Sequence, residues 1–145
     1  MPAGEWLSVS LARRGGPVMP KVLVVDDQPH IVRLIQVNLE REQIDVISAG
    51  DGEEALEKVR AERPDLVILD VIMPKLDGFE VLKAMKADPE TRAIPVIMLT
   101  VRTQNADIVE GLHQGAELYM PKPFHPRELI ALVQRVLERD GETTA

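Results

Sequence analysis

The sequence predicts an α/β domain built on a doubly wound parallel sheet of five strands. Three observations carry this. Short apolar, β-branched runs alternate with stretches of helical periodicity five times between Lys21 and Arg139. Runs such as "VLVV" and "LVIL" have no polar face, as expected of strands covered on both sides. The 145 residues suffice for one sizeable core and offer no room for a second domain.

The elements follow in order. "KVLVV" (21–25) is the first strand. "PHIVRLIQVNLERE" (29–42) is a helix, with Pro29 suited to its first position and Ile31, Leu34, Ile35 and Leu39 on its apolar stripe. "IDVISA" (44–49) is the second strand, closed by the turn signal "GDG". "EEALEKVRAER" (53–63) is a helix stopped by Pro64. "DLVILD" (65–70) is the third strand, and "GFEVLKAMKAD" (78–88) is a helix that breaks at Pro89. "IPVIMLT" (94–100) is the fourth strand, with Pro95 tolerable near its start. "NADIVEGLHQG" (105–115) is the fourth helix, with Gly115 just past its end. "ELYM" (117–120) is the short fifth strand. "PRELIALVQRVLER" (126–139) is the clearest helix, with Leu129, Leu132, Val133, Val136 and Leu137 on one stripe. Residues 1–20 lack sustained periodicity and end in the breaker-rich "RRGGPVMP". They are expected to be a flexible extension, or the product of a mis-assigned start, because Met19 opens the ordered pattern. Residues 21–139 form the domain, and 140–145 read as a polar tail.

Composition narrows the function classes. With 24 acidic and 17 basic residues the formal net charge is −7, so a surface that tracks phosphates is not expected and neither is direct binding to nucleic acid. The chain has no cysteine, which removes disulfides, thiolate metal sites and thiol catalysis and is compatible with the expected cytoplasmic location. No apolar run approaches the ~20 residues that span a bilayer. "WLSVSLA" (6–12) has Glu5 before it and Arg13-Arg14 after it, the reverse of a secretory signal.

The informative polar residues stand at the carboxyl ends of the strands. Asp26 and Asp27 follow the first, Asp70 ends the third, Thr100 ends the fourth, and Lys122 follows the fifth. In a parallel sheet these ends share one edge, and open α/β sheets bind ligands there. An aspartate pair after a strand is, taken alone, most often a turn or a helix cap. Three carboxylates in one crevice need compensation, however, and both a hard divalent cation such as Mg2+ and the Lys122 ammonium can provide it. A cluster of carboxylates, cation, ammonium and hydroxyl suits a phosphoryl group, with a carboxylate as nucleophile. Which aspartate is the nucleophile stays open at this level. His30, His113 and His125 lack metal-ligand spacing, and Met73, Met85 and Met98 read as packing residues.

The stretches "VLVVDD", "AERPDLVILDVIMPKLDG", "IPVIMLT" and "GAELYMPKPF" make the chain resemble the response-regulator receiver domain of two-component signalling, in the family's order and spacing from residue 21 to about 139. The resemblance implies a flavodoxin-like (βα)5 fold with strand order 2-1-3-4-5. It implies that Asp70 accepts a phosphoryl group from a histidine kinase or a phosphotransfer protein, and that Asp26, Asp27, Asp70 and the backbone carbonyl of Ile72 hold Mg2+. It gives Thr100 and Lys122 the phosphoryl contacts and makes Tyr119 the aromatic that moves with Thr100 on activation, against the plainer expectation of half-buried packing. It suggests a cis peptide between Lys122 and Pro123. Such a module is not an enzyme beyond its own phosphorylation and dephosphorylation. Its output face would comprise the fourth helix, fifth strand and fifth helix, serving a partner protein or a second copy in a homodimer.

Two residues bear on the lifetime of the phosphorylated form. Ile72 cannot orient an attacking water, and Val101 is bulkier than the alanine or glycine common in relatives; both are expected to slow hydrolysis. Competing classes fit less well. A haloacid-dehalogenase-type phosphatase needs an aspartate two residues after its nucleophile, which "DDQPH" lacks, and a flavodoxin needs a Ser/Thr-rich phosphate loop after the first strand. No GxxxxGK[ST] loop occurs. A receiver fold that works without phosphorylation would have lost an acidic residue or Lys122, and none is lost. With no effector domain evident, output is expected to pass through a partner, unless the chain is part of a longer regulator.

Overall fold

The structure, a computed structural model, describes residues 19–73, 75–100 and 115–143, of which Thr100 and 139–143 are described by backbone alone. The helix expected over 105–115, apart from Gly115, lies outside the described residues, as do Val101 and residues 1–18. The chain runs β1 (Lys21–Val25), α1 (Pro29–Arg41), β2 (Asp45–Ala49), α2 (Gly52–Glu62), β3 (Leu66–Asp70), α3 (Gly78–Ala87), β4 (Val96–Thr100), β5 (Leu118–Pro121) and α4 (Pro126–Thr143). All strand pairs are parallel, and the sheet order is β2-β1-β3-β4-β5. The expected fold class is therefore the observed one.

Strand periodicity splits the core into two layers. Leu23, Val25, Val67, Leu69, Val96 and Met98 face one side, where they meet Ala55 and Val59 of α2 and Leu82 and Met85 of α3. Val22, Val24, Leu66, Ile68, Ile97 and Leu99 face the other, where they meet Ile35 and Leu39 of α1 and Leu129, Val133, Val136 and Leu137 of α4. Central strands with two covered faces have no place for polar residues until the strand ends. The edge strands are less buried, as β2 and β5 each have only one neighbour.

Helix ends follow local chemistry. Pro29 starts α1, and its cap residue Gln28 lends no side chain. Asp51 caps α2 by accepting from the Glu54 N–H at 2.9 Å, and Arg63 closes that helix in the left-handed region (φ 48°). Asp77 and Glu80 form a reciprocal capping box at α3.

Three details differ from expectation. Leu34 was assigned to the apolar stripe of α1 but is 41% exposed, because the buried stripe is the narrower one through Ile35 and Leu39. Ile130 is buried beside Leu129, so the core stripe of α4 is wider than the spacing suggested. The α4 backbone also continues to Thr143, into the segment expected to be a polar tail. Gly115 does adopt the left-handed conformation, with φ 102°.

Leu69 is fully buried one residue before Asp70. Leu69→Ala is expected to lower unfolding stability by about 3 kcal/mol, measured by urea denaturation, because the rigid sheet cannot collapse into the space.

Candidate functional site

Strand register brings the acidic residues together. Val25 of β1 pairs with Leu69 of β3, so Asp26 and Asp70 stand side by side one step further along. Asp27 follows at the exposed rim. One oxygen from each of Asp26, Asp27 and Asp70 lies within 4.8 Å of the others. Asp26 and Asp70 are buried, at 3% and 5% exposure, so two adjacent carboxylates have lost most of their water.

Backbone groups orient them. The Gln28 N–H donates to Asp26 Oδ1 at 2.9 Å, and the Ile72 N–H donates to Asp70 Oδ1 at 3.2 Å. The Asp26 N–H is itself held by the Ala49 carbonyl of β2 at 3.1 Å. Behind Asp70 the chain doubles back: the Gly78 N–H donates to the Val71 carbonyl at 2.8 Å. A Cβ on Gly78 would lie 2.3 Å from the Asp70 carbonyl oxygen, so this close return demands glycine. Neither Gly78 nor Ala49 was singled out from sequence; the glycine of "KLDG" was the only visible signal for the first.

The compensating charge comes from the opposite end of the chain. Thr100 pairs in register with Pro121, which sets Lys122 one residue past the end of β5. The Lys122 ammonium reaches Asp26 Oδ2 at 2.6 Å and Asp70 Oδ2 at 3.3 Å, with its side chain 11% exposed. The Lys122–Pro123 peptide is cis, as the resemblance suggested. Burial works against the ammonium, but its bond to Asp26 and the charges of Asp70 and Asp26 prevail and raise its pKa. The Asp70 carboxyl is pushed above the usual carboxylate range, first by burial and then by the Asp26 charge; Lys122 and the Ile72 N–H only partly offset this. One ammonium does not balance three carboxylates. A hard divalent cation fits the surplus, since the donors are all carboxylate oxygens within coordinating reach of one point.

The other expected site residues are placed as follows. Ile72 lies in the loop after Asp70 with its side chain 52% exposed. Tyr119 is half-buried against the layer that holds α2 and α3. Thr100 ends β4, and its side chain lies outside the described residues.

The raised Asp70 pKa has a stability consequence with a definite sign. The folded state takes up the Asp70 proton at higher pH than the unfolded chain does. Ionised Asp70 therefore opposes folding above its folded-state pKa, and this cost disappears as pH falls below the ordinary carboxylate range. In chelator at neutral pH, Asp70→Asn is expected to raise unfolding stability by about 1 kcal/mol or more. The gain over wild type should shrink steadily in urea titrations run at lower pH.

Known proteins share this arrangement of chain and sheet. The family described as the response regulator receiver domain matches residues 22–134. The chain is 52% identical over 119 residues to the alkaline phosphatase synthesis transcriptional regulatory protein PhoP of Bacillus subtilis, covering 82% of this chain and 49% of that protein. It is 40% identical over 125 residues to the DNA-binding response regulator MtrA of Mycobacterium tuberculosis, covering 86% of this chain and 54% of that one. It thus spans about half the length of these relatives. Its structure is similar to the Francisella response regulator 1452 receiver domain, with a TM-score of 0.78 and 37% identity over 83% of this chain and 98% of that one. The family match runs from β1 into α4 and takes in every strand whose end contributes to the acidic crevice, and on this basis the chain belongs to the response-regulator receiver family.

Proposed function

We propose that this chain is a phosphoacceptor switch in which Asp70 receives a phosphoryl group from a histidine kinase or a phosphotransfer protein, with Mg2+ held by Asp26, Asp27, Asp70 and the Ile72 carbonyl. The observation that carries this is the cluster itself: three carboxylates within 4.8 Å and one part-buried ammonium bridging two of them. A structural ion pair would need one acid for one base. The surplus of negative charge beside an oriented nucleophile is what a phosphoryl-transfer site requires.

In the transfer step a carboxylate oxygen of Asp70 attacks phosphorus, the bond from phosphorus to the donor imidazole nitrogen breaks, and that nitrogen keeps the electron pair. Bound Mg2+ supplies neutralisation of the phosphoryl oxygens and of the acids that hold it. The Ile72 N–H, already bonded to Asp70 Oδ1, orients the nucleophile. Lys122 stays cationic throughout and is available to a phosphoryl oxygen. Phosphorylation adds about −1.5 to −2 charges and three acceptor oxygens. Lys122 and Thr100 are drawn toward them, Tyr119 moves with Thr100, and the face around β5, α4 and the segment before β5 shifts population between two packings. That face serves a downstream effector, and two copies of the chain could pair through it. The chain is a signalling module rather than a turnover enzyme, and it works in the cytoplasm. Among the described residues no helix is long and apolar enough to cross a membrane. The relatives PhoP and MtrA are named as transcriptional and DNA-binding regulators. By that likeness the effector is a transcriptional one, whether on the same polypeptide or on a partner.

Incubation with acetyl phosphate and Mg2+ is expected to add one phosphoryl group by intact mass. Asp70→Asn should abolish it, and Asp27→Ala should raise the half-saturating Mg2+ concentration about tenfold or more while leaving the circular dichroism spectrum unchanged. Absence of incorporation in the wild type would favour a receiver that works without phosphorylation. The exposed, apolar Ile72 offers no group to orient water. The Ile72→Asn, Val101→Ala double variant is therefore expected to lose phosphate faster than wild type in Mg2+, and equal decay rates would refute this.

A further inference from the structure

The two arms of the acidic site come from separate strands. Asp26 and Asp27 extend from β1, while Asp70 and the Ile72 carbonyl extend from β3. Beyond Val25 and Leu69 no sheet pairing joins β1 to β3. Both arms instead lean on one further segment, which runs from the last residue of β2, Ala49, to the first of α2, Gly52. On one side the Ala49 carbonyl accepts from the Asp26 N–H at 3.1 Å. On the other, the loop after Asp70 rests on Gly52: a Cβ there would lie 2.4 Å from the Leu76 carbonyl oxygen and 2.5 Å from the Leu76 Cβ. Asp51 and Glu53 flank this contact and pair with Lys75 at 3.6 and 3.9 Å. Lys75 itself is in the left-handed region, with φ 69°. The closeness belongs to Gly52 and not to the segment as a whole. At Gly50 a Cβ would meet nothing nearer than Glu54 Oε1 at 3.9 Å.

We propose that the segment from Ala49 to Gly52, the end of β2 and the start of α2, sets the gap between the two arms of the cation site, and that Gly52 is a positioning residue for Mg2+ although it touches no ligand. This rests on the assignment of Mg2+ to Asp26, Asp27, Asp70 and Ile72 made above. Any side chain at position 52 meets backbone and Cβ atoms of Leu76, which cannot swing aside as a flexible tip can. An alanine must push the Leu76 carbonyl from 2.4 Å to ordinary contact near 3.4 Å, a displacement of about 1 Å. Ile72 and Leu76 lie in the same connection between β3 and α3, whose ends are tied together by the bond from the Gly78 N–H to the Val71 carbonyl. Mg2+ demands near-ideal octahedral geometry at about 2.0–2.1 Å, so a displaced arm costs affinity directly. Supports behind metal ligands commonly govern affinity by about 10–100-fold.

Mg2+ titration calorimetry on the full chain, with urea unfolding of each variant, tests this. Gly52→Ala and Leu76→Gly change no charge, so the long-range attraction for the cation is preserved. Alanine also favours helix over glycine, so weaker binding in Gly52→Ala cannot be put down to a weakened α2. Gly52→Ala is expected to raise the Mg2+ Kd about tenfold, Leu76→Gly about threefold, and Gly50→Ala not at all. In Gly52→Ala the acetyl-phosphate reaction should need more Mg2+ for half-maximal rate but regain most of the rate at saturation. A folded Gly52→Ala with the wild-type Kd overturns the proposal. If Gly52→Ala does not fold, an unchanged Kd in Leu76→Gly, which removes the Cβ that rests on Gly52, overturns it and a raised one supports it. A wild type with no Mg2+ binding that Asp27→Ala removes overturns the metal assignment and the proposal with it, a result distinct from the others.

Discussion

Asp26 and Asp70 are two acids pressed together at the end of a dry sheet, and Lys122 is the group that makes this tolerable. In water such a pair would separate. Here the β1–β3 register holds them adjacent, and the apolar layers on either side prevent relief by solvent. Lys122 bonds to both but offers one charge against three. The site is therefore satisfied enough to fold and unsatisfied enough to want further positive charge. A fully balanced cluster would be more stable and would have no reason to bind anything.

The rest of the fold serves to keep that imbalance in place. The two core layers make the central strands rigid up to their last residue, so Asp70 cannot retreat. Short backbone bonds then fix the side chains, with Gln28 and Ile72 each donating to one carboxylate oxygen and leaving the other for Lys122. Gly78 folds the following loop tightly against the strand. Each of these contacts is small in energy. Together they replace what the carboxylates would otherwise obtain from water, and they do so with fixed geometry.

Much of this could be anticipated from residue order, for identifiable reasons. A strand with no polar face announces its own end at the first polar residue, so Asp26, Asp70 and Lys122 marked one edge once the sheet was taken as parallel. The identity of the nucleophile was different: Asp26 and Asp70 are equivalent in pattern, and only the family resemblance separated them. Leu34 went astray because Leu34 and Ile35 both lie near the helix stripe, and burial chooses between them only through packing against the sheet. Gly52 stands out only as part of the turn signal "GDG" and Ala49 not at all, since their importance depends on backbone approaches between segments distant in sequence. The α4 backbone runs on through polar residues because helix propagation needs no apolar stripe once the buried part has nucleated it.

The ion pair between Lys122 and Asp26 spans 96 residues, from the first strand to just past the last. A chain that has assembled only β1 and β3 holds the acids but lacks their counter-charge, and mutual repulsion works against closing the crevice. The crevice is therefore finished only when β5, the last of the described strands in chain order, takes its place. A copy in which β5 has not docked lacks the ammonium and keeps the repulsion, so docking of β5 and closure of the crevice favour one another. The ion pair thus ties the acidic crevice in the middle of the sheet to its far edge, so a disturbance at either is felt at the other.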